Sequence, residues 1–138
     1  MTAETPARFS ASPKSLGYRM PAEYAPHKRT WMMWPTRAEV WPDMAATKAD
    51  YVKVAEFEPL CMAVNPADAA AARAMLGAGI EIFEVPIDDS WARDAGPNFV
   101  RNGKGEKAAS LFTFSAWGHK YAPFDKDAAF GAAVAARE

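Results

Sequence analysis

Apolar runs alternate with polar, helix-forming segments, and this pattern predicts an α/β chain. Three short apolar runs have the length of buried strands: residues 30–34, 59–64 and 80–85. The segments between them predict two helices, at about 42–55 with Pro42 in a first-turn position, and at about 66–76 with Pro66 at the first position. Asn65 is a favourable side-chain cap for the second helix, and Gly77 is a favourable left-handed end. The predicted order is β-α-β-α-β.

The pattern then predicts a hairpin, an aromatic loop and a last helix. The hairpin strands are expected at 98–101 and 108–114. Residues 102–105, Asn-Gly-Lys-Gly, are expected to form its turn, because Asn-Gly accepts the positive φ angles that a tight turn requires. An aromatic loop at 115–125 precedes a helix at about 126–137.

Residues 1–17 are polar and rich in Ser, Pro and Ala, and we interpret them as a flexible leader before one domain at 18–138. They lack the apolar core of a signal peptide, and no later apolar run is long enough to span a bilayer. A single cysteine permits no internal disulfide. We therefore expect a cytoplasmic location and no membrane partner.

The net charge and its distribution along the chain limit the kinds of molecule that it is expected to bind. The chain has 16 Lys and Arg residues against 17 Asp and Glu residues, a net charge of −1, and no block of basic residues. Nucleic acids and anionic membrane surfaces bind proteins through concentrated positive charge. The composition argues against both and leaves a small molecule as the expected partner.

The acidic loop at 88–97 carries the candidate chemistry. It brings three carboxylates together with Trp91 and Arg93, a combination that suits an organic cation, because a carboxylate gives charge-assisted hydrogen bonds and an indole gives cation–π attraction. Asp94 is the leading ligand carboxylate. Asp88 and Asp89 are adjacent, so at most one should face a pocket, and we expect the other to be solvated.

Each of these side chains also has a structural interpretation. Asp94 could instead pair with Arg93 or cap the turn before Gly96, and Trp91 could simply fill the core. Cys61 lies in a predicted buried strand, where a thiol has a raised pKa and is inert. His27 and His119 have no metal-ligand spacing with Cys61, so no metal site is predicted.

Five motifs occur together in one order. They are Tyr18-x-Met20-Pro21-Ala22-Glu23, Trp31-Met32-Met33-Trp34-Pro35, Phe57-Glu58-Pro59, Asp89-Ser90-Trp91-Ala92-Arg93-Asp94-x-Gly96-Pro97 and Ala116-Trp117-Gly118-x-Lys120-Tyr121. From Tyr18 onward the chain resembles the N-terminal part of agmatine deiminases. These belong to the bacterial-type peptidyl-arginine deiminase family of the guanidine-modifying superfamily.

The resemblance implies a five-bladed α/β propeller, the pentein fold, of which this chain would form the first blades. It also implies hydrolysis of agmatine to N-carbamoylputrescine and ammonia, a step of putrescine biosynthesis, through a cysteine thiolate and without a cofactor. Asp94 would be one of two aspartates that hold the guanidinium group. Trp91, Trp117 and Asp88 would be the further substrate contacts.

The chain also departs from the family pattern. The family's nucleophilic cysteine and catalytic histidine lie in later segments, which do not occur here. The region between Val54 and Phe57 is about one helical turn shorter than usual, and His119 stands where the family more often has glycine. We therefore expect an inactive fragment that self-associates through exposed edges. A cation-binding module without catalysis, and a purely structural remnant, remain the alternatives.

Overall fold

The computed structural model describes residues 8–138, and its centre is a parallel sheet. The strands are β1 (Thr30–Met33), β2 (Leu60–Val64) and β3 (Glu81–Glu84). They lie in the order β1-β2-β3, with Thr30 opposite Leu60 and Cys61 opposite Glu81. All three predicted strands are confirmed, each with slightly shorter ends.

The middle strand is the most apolar, and this explains its position. All five residues of β2 are buried, whereas β1 and β3 are only partly buried. A parallel strand that is covered on both faces reads as a continuous apolar run rather than an alternating one. Helices α1 (Met44–Val54) and α2 (Ala69–Leu76) connect the three strands.

The helix ends differ from the predicted ones in chemistry. The Asp43 carboxylate caps α1 by accepting from Ala46 N at 2.9 Å, so Pro42 precedes the cap instead of lying in the first turn. A 3-10 turn (Pro66–Asp68) leads into α2, and Asn65 makes no side-chain cap bond to it. The predicted cap at Asn65 is therefore wrong. Gly77 follows α2 with φ 70°, which confirms the positive angle predicted there.

The predicted hairpin is present but shorter. β4 (Asn98–Arg101) and β5 (Lys107–Ser110) pair antiparallel, and β5 stops four residues before the predicted end. The positive φ of the turn belongs to Gly105, at 82°, and not to Asn102. The Asn102 side chain instead accepts from Lys104 N and Glu106 N, both at 3.0 Å, and this closes the turn.

The last helix, α5 (Asp125–Arg137), closes the core. Phe130 and Val134 are buried in it, and Gly131 lies against the short helix α3 (Ala92–Ala95). A Cβ atom at position 131 would come within 2.8 Å of the Ala95 carbonyl oxygen. Glycine at this position therefore allows α5 to approach α3 closely.

The predicted leader is described only in part. Residues 1–7 lie outside the described residues, and 8–17 are exposed and include a turn. Its flexibility stays a prediction. Within the described part of the chain, no helix is both long and apolar enough to cross a membrane.

Candidate functional site

The acidic loop lies where the three parallel strands end. Thr36 and Arg37 follow β1, Asn65 follows β2, and residues 87–91 follow β3. The carboxyl ends of parallel strands lie at one edge of a sheet, which is the usual place for a ligand site in an α/β fold. Side chains that are far apart in sequence therefore meet around the loop.

Polar side chains bind both backbone groups of Ile87 and Asp88 and the amides of the next two residues. The Asn65 amide both accepts from Ile87 N, at 2.9 Å, and donates to Ile87 O, at 3.0 Å. Thr36 Oγ1 and Arg37 Nε donate to Asp88 O, at 2.7 and 3.1 Å. A buried loop must satisfy its backbone in this way, because an unpaired buried polar group costs about 1–3 kcal/mol.

The Asp127 side chain on α5 binds two backbone N–H groups of the loop. Its Oδ1 accepts from Asp88 N at 2.7 Å and from Asp89 N at 3.2 Å. Burial raises the pKa of the Asp127 carboxyl to about 6, and the two backbone N–H groups only partly oppose this.

Asp88 and Asp89 both have bound partners. The Asp88 side chain is 6% exposed, accepts from Lys126 N at 3.0 Å and lies 3.5 Å from Lys126 Nζ. The Asp89 residue is 2% exposed and accepts from the indole N–H groups of Trp41 and Trp91. The expectation that one of this pair is solvated is wrong, because α5 and two tryptophans cover them.

Asp94 differs from both. It lies exposed on α3, and no side chain or backbone donor within residues 8–138 bonds its carboxylate. Arg93 turns away from it and makes a two-bond pair with Glu23, at 3.0 and 2.9 Å. Hydrogen bonding and charge from Arg93 lower the pKa of Glu23. The local arginine is therefore bound elsewhere, and the Asp94 carboxylate is available to a ligand.

An aromatic cluster lies beside the loop. The Trp91 ring centroid is 5.4 Å from that of Trp41 and 5.1 Å from that of Trp117, the latter edge to face. Trp117 also contacts Phe114 and Tyr121 edge to face and remains 47% exposed. The structure thus brings two predicted ligand residues, Trp91 and Trp117, into direct contact.

The turn that carries Trp117 is left-handed. All four residues of this turn, α4 (Ala116–His119), have positive φ angles, of 47°, 55°, 79° and 68°. A left-handed conformation costs a residue other than glycine roughly 1–2 kcal/mol. Ser115 compensates in part, because its Oγ accepts from Gly118 N and its carbonyl accepts from His119 N.

The other reactive side chains lie outside this cluster. Cys61 is completely buried in β2, and burial raises the pKa of its thiol, as predicted. His27 bonds Glu58 at 2.6 Å, which raises the pKa of the histidine. His119 is exposed and packs against Phe124. Among the described residues, no group of three or more His, Cys, Asp or Glu side chains could hold a metal.

Two surface grooves also lie elsewhere. One, of about 490 Å³, is formed by residues near Arg19 and Arg101, and the other, of about 470 Å³, by residues near His27 and Phe99. Neither is lined by Asp94, Trp91 or Trp117. Asp94 and the Trp117 indole are both exposed to solvent in this chain.

Sequence reasoning missed three residues of this site. Asp127 was read only as part of a helix, Trp41 only as the segment before a helix, and Asn65 as a cap. All three act on the loop from 22 to 48 residues away. A polar residue next to a buried strand or inside an apolar helix face was the signal that could have pointed to Asn65 and Asp127.

Comparison with known proteins decides the family. The model of the Porphyromonas-type peptidyl-arginine deiminase family matches residues 19–138. The chain belongs to this family. It is 43% identical over 116 residues to the agmatine deiminase of Ectopseudomonas mendocina (strain ymp), covering 80% of this chain and 32% of that protein. It is 38% identical over 134 residues to the agmatine deiminase of Pseudomonas fluorescens (strain SBW25), covering 90% of this chain and 36% of that protein.

A solved structure supports the same family fold. The agmatine deiminase of Enterococcus faecalis superposes with a TM-score of 0.79 at 30% identity, over 94% of this chain and 38% of that one. The mixed α/β structure is thus that of a peptidyl-arginine deiminase family member. The chain spans about a third of the length of the relatives that it matches.

The strain in the left-handed turn gives a stability prediction for this family member. Replacing His119 with glycine should raise the free energy of unfolding by about 0.5–1 kcal/mol, because glycine has no left-handed penalty. Urea unfolding at fixed protein concentration measures the effect. The exposed α5 residue Ala132 gives the control, since Ala132→Gly should destabilise by about 1 kcal/mol. If the His119→Gly chain is less stable than the wild type, the proposal that backbone strain at position 119 destabilises the chain is wrong.

The buried carboxyl of Asp127 gives a pH prediction. The pKa of Asp127 in the folded chain is about 6, above the usual 3.8. The protonated carboxyl therefore stabilises the folded state fully at pH values below 3.8, and this contribution is lost as pH rises through 6. The loss amounts to about 3 kcal/mol, at about 1.36 kcal/mol for each pKa unit. Asp127→Asn keeps an acceptor for the loop and should gain stability relative to wild type between pH 4 and pH 7.

Urea midpoints at several pH values measure this difference. Glu23→Gln supplies a control of opposite sign, because the pKa of Glu23 is lowered and its contribution is lost as pH falls. A stability difference between Asp127→Asn and wild type that stays constant with pH would show that Asp127 does not titrate in this window.

Proposed function

We propose that this chain is the guanidinium-binding N-terminal portion of an agmatine-deiminase-type hydrolase. The observation that carries the proposal is the Asp94 carboxylate, exposed and without a protein donor among residues 8–138 while the adjacent Arg93 is bound to Glu23. A carboxylate in this state retains its full capacity for the paired N–H groups of a guanidinium ion. The family membership supports this interpretation of the motif.

Asp94 would orient the substrate as well as attract it. Two parallel hydrogen bonds from a guanidinium group to one carboxylate fix the plane of the cation, and this leaves the face of its central carbon open to attack. The negative charge also keeps the substrate protonated and therefore electrophilic. At an effective dielectric near 20, a charge pair about 4 Å apart is worth on the order of 4 kcal/mol.

The tryptophans would complete the contact. Trp91 lies three residues before Asp94 in sequence. The Trp117 ring packs against the Trp91 ring, and 47% of Trp117 remains exposed. An indole face attracts a cation, and its apolar area can cover the alkyl chain of agmatine. Asp88 is a weaker candidate for a substrate contact, because its carboxylate is already bound to Lys126.

The overall reaction is the hydrolysis of a guanidinium carbon–nitrogen bond. Water replaces one nitrogen on the central carbon, so agmatine gives N-carbamoylputrescine and ammonia, in putrescine biosynthesis. We propose that the nucleophilic thiolate and the proton-transferring histidine are supplied by segments of the whole enzyme outside this chain. We further propose a cytoplasmic location and the five-bladed propeller for that enzyme.

Cation binding without catalysis is the second candidate. The chain has one cysteine, Cys61, and it is completely buried with a raised thiol pKa. A buried thiol of this kind is a poor nucleophile. The chain alone would then bind guanidinium compounds and release no ammonia.

Calorimetry with agmatine tests the proposal. The wild-type chain should bind agmatine, and Asp94→Asn should abolish the binding heat, because the amide lacks the charge and one of the two acceptors. Asp50→Asn, at an exposed position on α1, is the matched control and should bind like the wild type. Arginine as a competing ligand reports the substrate preference. Ammonia release by the isolated chain should equal that of a blank.

Two results would contradict the proposal. Equal binding by Asp94→Asn and wild type would remove Asp94 from the site, and ammonia release abolished by Cys61→Ser would give this chain its own nucleophile.

Titrations at two chain concentrations are required, because β1 and β3 form the edges of the described sheet and Phe57 and Phe112 are exposed. These features favour self-association of the chain.

A further inference from the structure

One buried carboxylate joins two tryptophans from separate parts of the chain. Asp89 Oδ1 accepts from Trp41 Nε1 at 2.9 Å, and Asp89 Oδ2 accepts from Trp91 Nε1 at 2.7 Å. The two donors lie 48 residues before and two residues after Asp89 in sequence. Because each carboxylate oxygen bonds a different indole, the positions of the two rings are coupled through this side chain.

Three N–H donors and one cation surround the Asp89 carboxylate. Its Oδ1 also accepts from Ser90 N at 2.8 Å, and Arg37 Nε lies 3.8 Å from Oδ2. The three N–H donors replace the hydrogen bonds that this buried side chain would make to water. No neutral side chain of the same size provides this, because asparagine has only one acceptor oxygen for three donors.

The Asp89 bonds also restrict the orientation of Trp91. The Trp91 ring packs against Trp41 on one side and meets Trp117 edge to face on the other. Packing on two sides and the N–H bond to the buried Asp89 carboxylate together select one orientation of the indole. In this structure the bonds of Asp89 thus hold the ring of the residue three positions before Asp94.

We propose that Asp89 is a positioning residue, which orients the Trp91 indole for the guanidinium ligand of Asp94 and uses Trp41 as its second anchor. This inference rests on the proposed function. Asp89 itself touches no ligand. A fixed indole adds to affinity because the cost of ordering the side chain is met in folding rather than in binding.

Nuclear magnetic resonance tests the bonds directly. The five tryptophans give five indole N–H signals, and Asp89→Asn should move those of Trp41 and Trp91 while Trp31 and Trp34 stay in place. Asp88→Asn is the matched control at the adjacent position, since Asp88 bonds Lys126 and should leave the indole signals of Trp41 and Trp91 unmoved. Unmoved signals in Asp89→Asn would overturn the proposal.

Agmatine calorimetry separates positioning from a structural role. Asp89→Asn should weaken binding about tenfold, in samples with the same folded fraction as the wild type. In a Trp91→Phe background the same substitution should cause no further loss, because the residue acts through the indole N–H. An additional loss of full size in that background would overturn positioning through Trp91.

If Asp89→Asn does not fold, the single variant Trp91→Phe provides a second test of the bond between Asp89 and Trp91. Phenylalanine retains an aromatic ring but lacks the N–H, so it breaks the same bond from the other side, and its affinity should also fall. Unchanged affinity in both single variants would overturn this inference and leave the proposed function intact. A wild-type chain that binds no agmatine would overturn the proposed function, and this inference with it.

Discussion

The structure depends on one constraint, which is that a polar loop buried at the end of a parallel sheet must have every hydrogen-bonding group satisfied. Side chains from the segments after β1 and β2, and from α5, bind both backbone groups of Ile87 and Asp88 and the amide of Asp89. The loop is therefore anchored to three other parts of the chain before it reaches α3. An exposed carboxylate at Asp94, one turn later, is consequently presented from a fixed base rather than from a mobile loop.

Two kinds of carboxylate follow from this arrangement. Asp88, Asp89 and Asp127 are largely buried and bound to protein donors, so their oxygen atoms organise the structure by hydrogen bonding. Asp94 and the indole of Trp117 are exposed, so their surfaces are available. Four acidic side chains within one small region thus divide into three that hold the site and one that can bind a cation. Composition alone assigns them no such difference.

The sequence predicted what depends on local pattern. The continuous apolar run of β2 and the positive φ at Gly77 could be read directly, because burial and backbone sterics are local properties. The roles of Asn65, Asp89 and Asp127 could not, because each has a partner 22 to 48 residues away and periodicity does not identify such partners. The left-handed turn at Trp117 was also missed, since Ser115 hydrogen bonds and aromatic contacts accompany it while three of its four residues disfavour positive φ.

The central claim is that the Asp94 carboxylate binds a guanidinium ion. The most direct measurement is the carbon-13 chemical shift of each aspartate side-chain carboxyl during titration with agmatine. The account predicts a saturable shift of the Asp94 signal, while that of the exposed control Asp50 stays constant. An Asp94 signal that does not move at saturating agmatine, or that moves no more than Asp50, would contradict it.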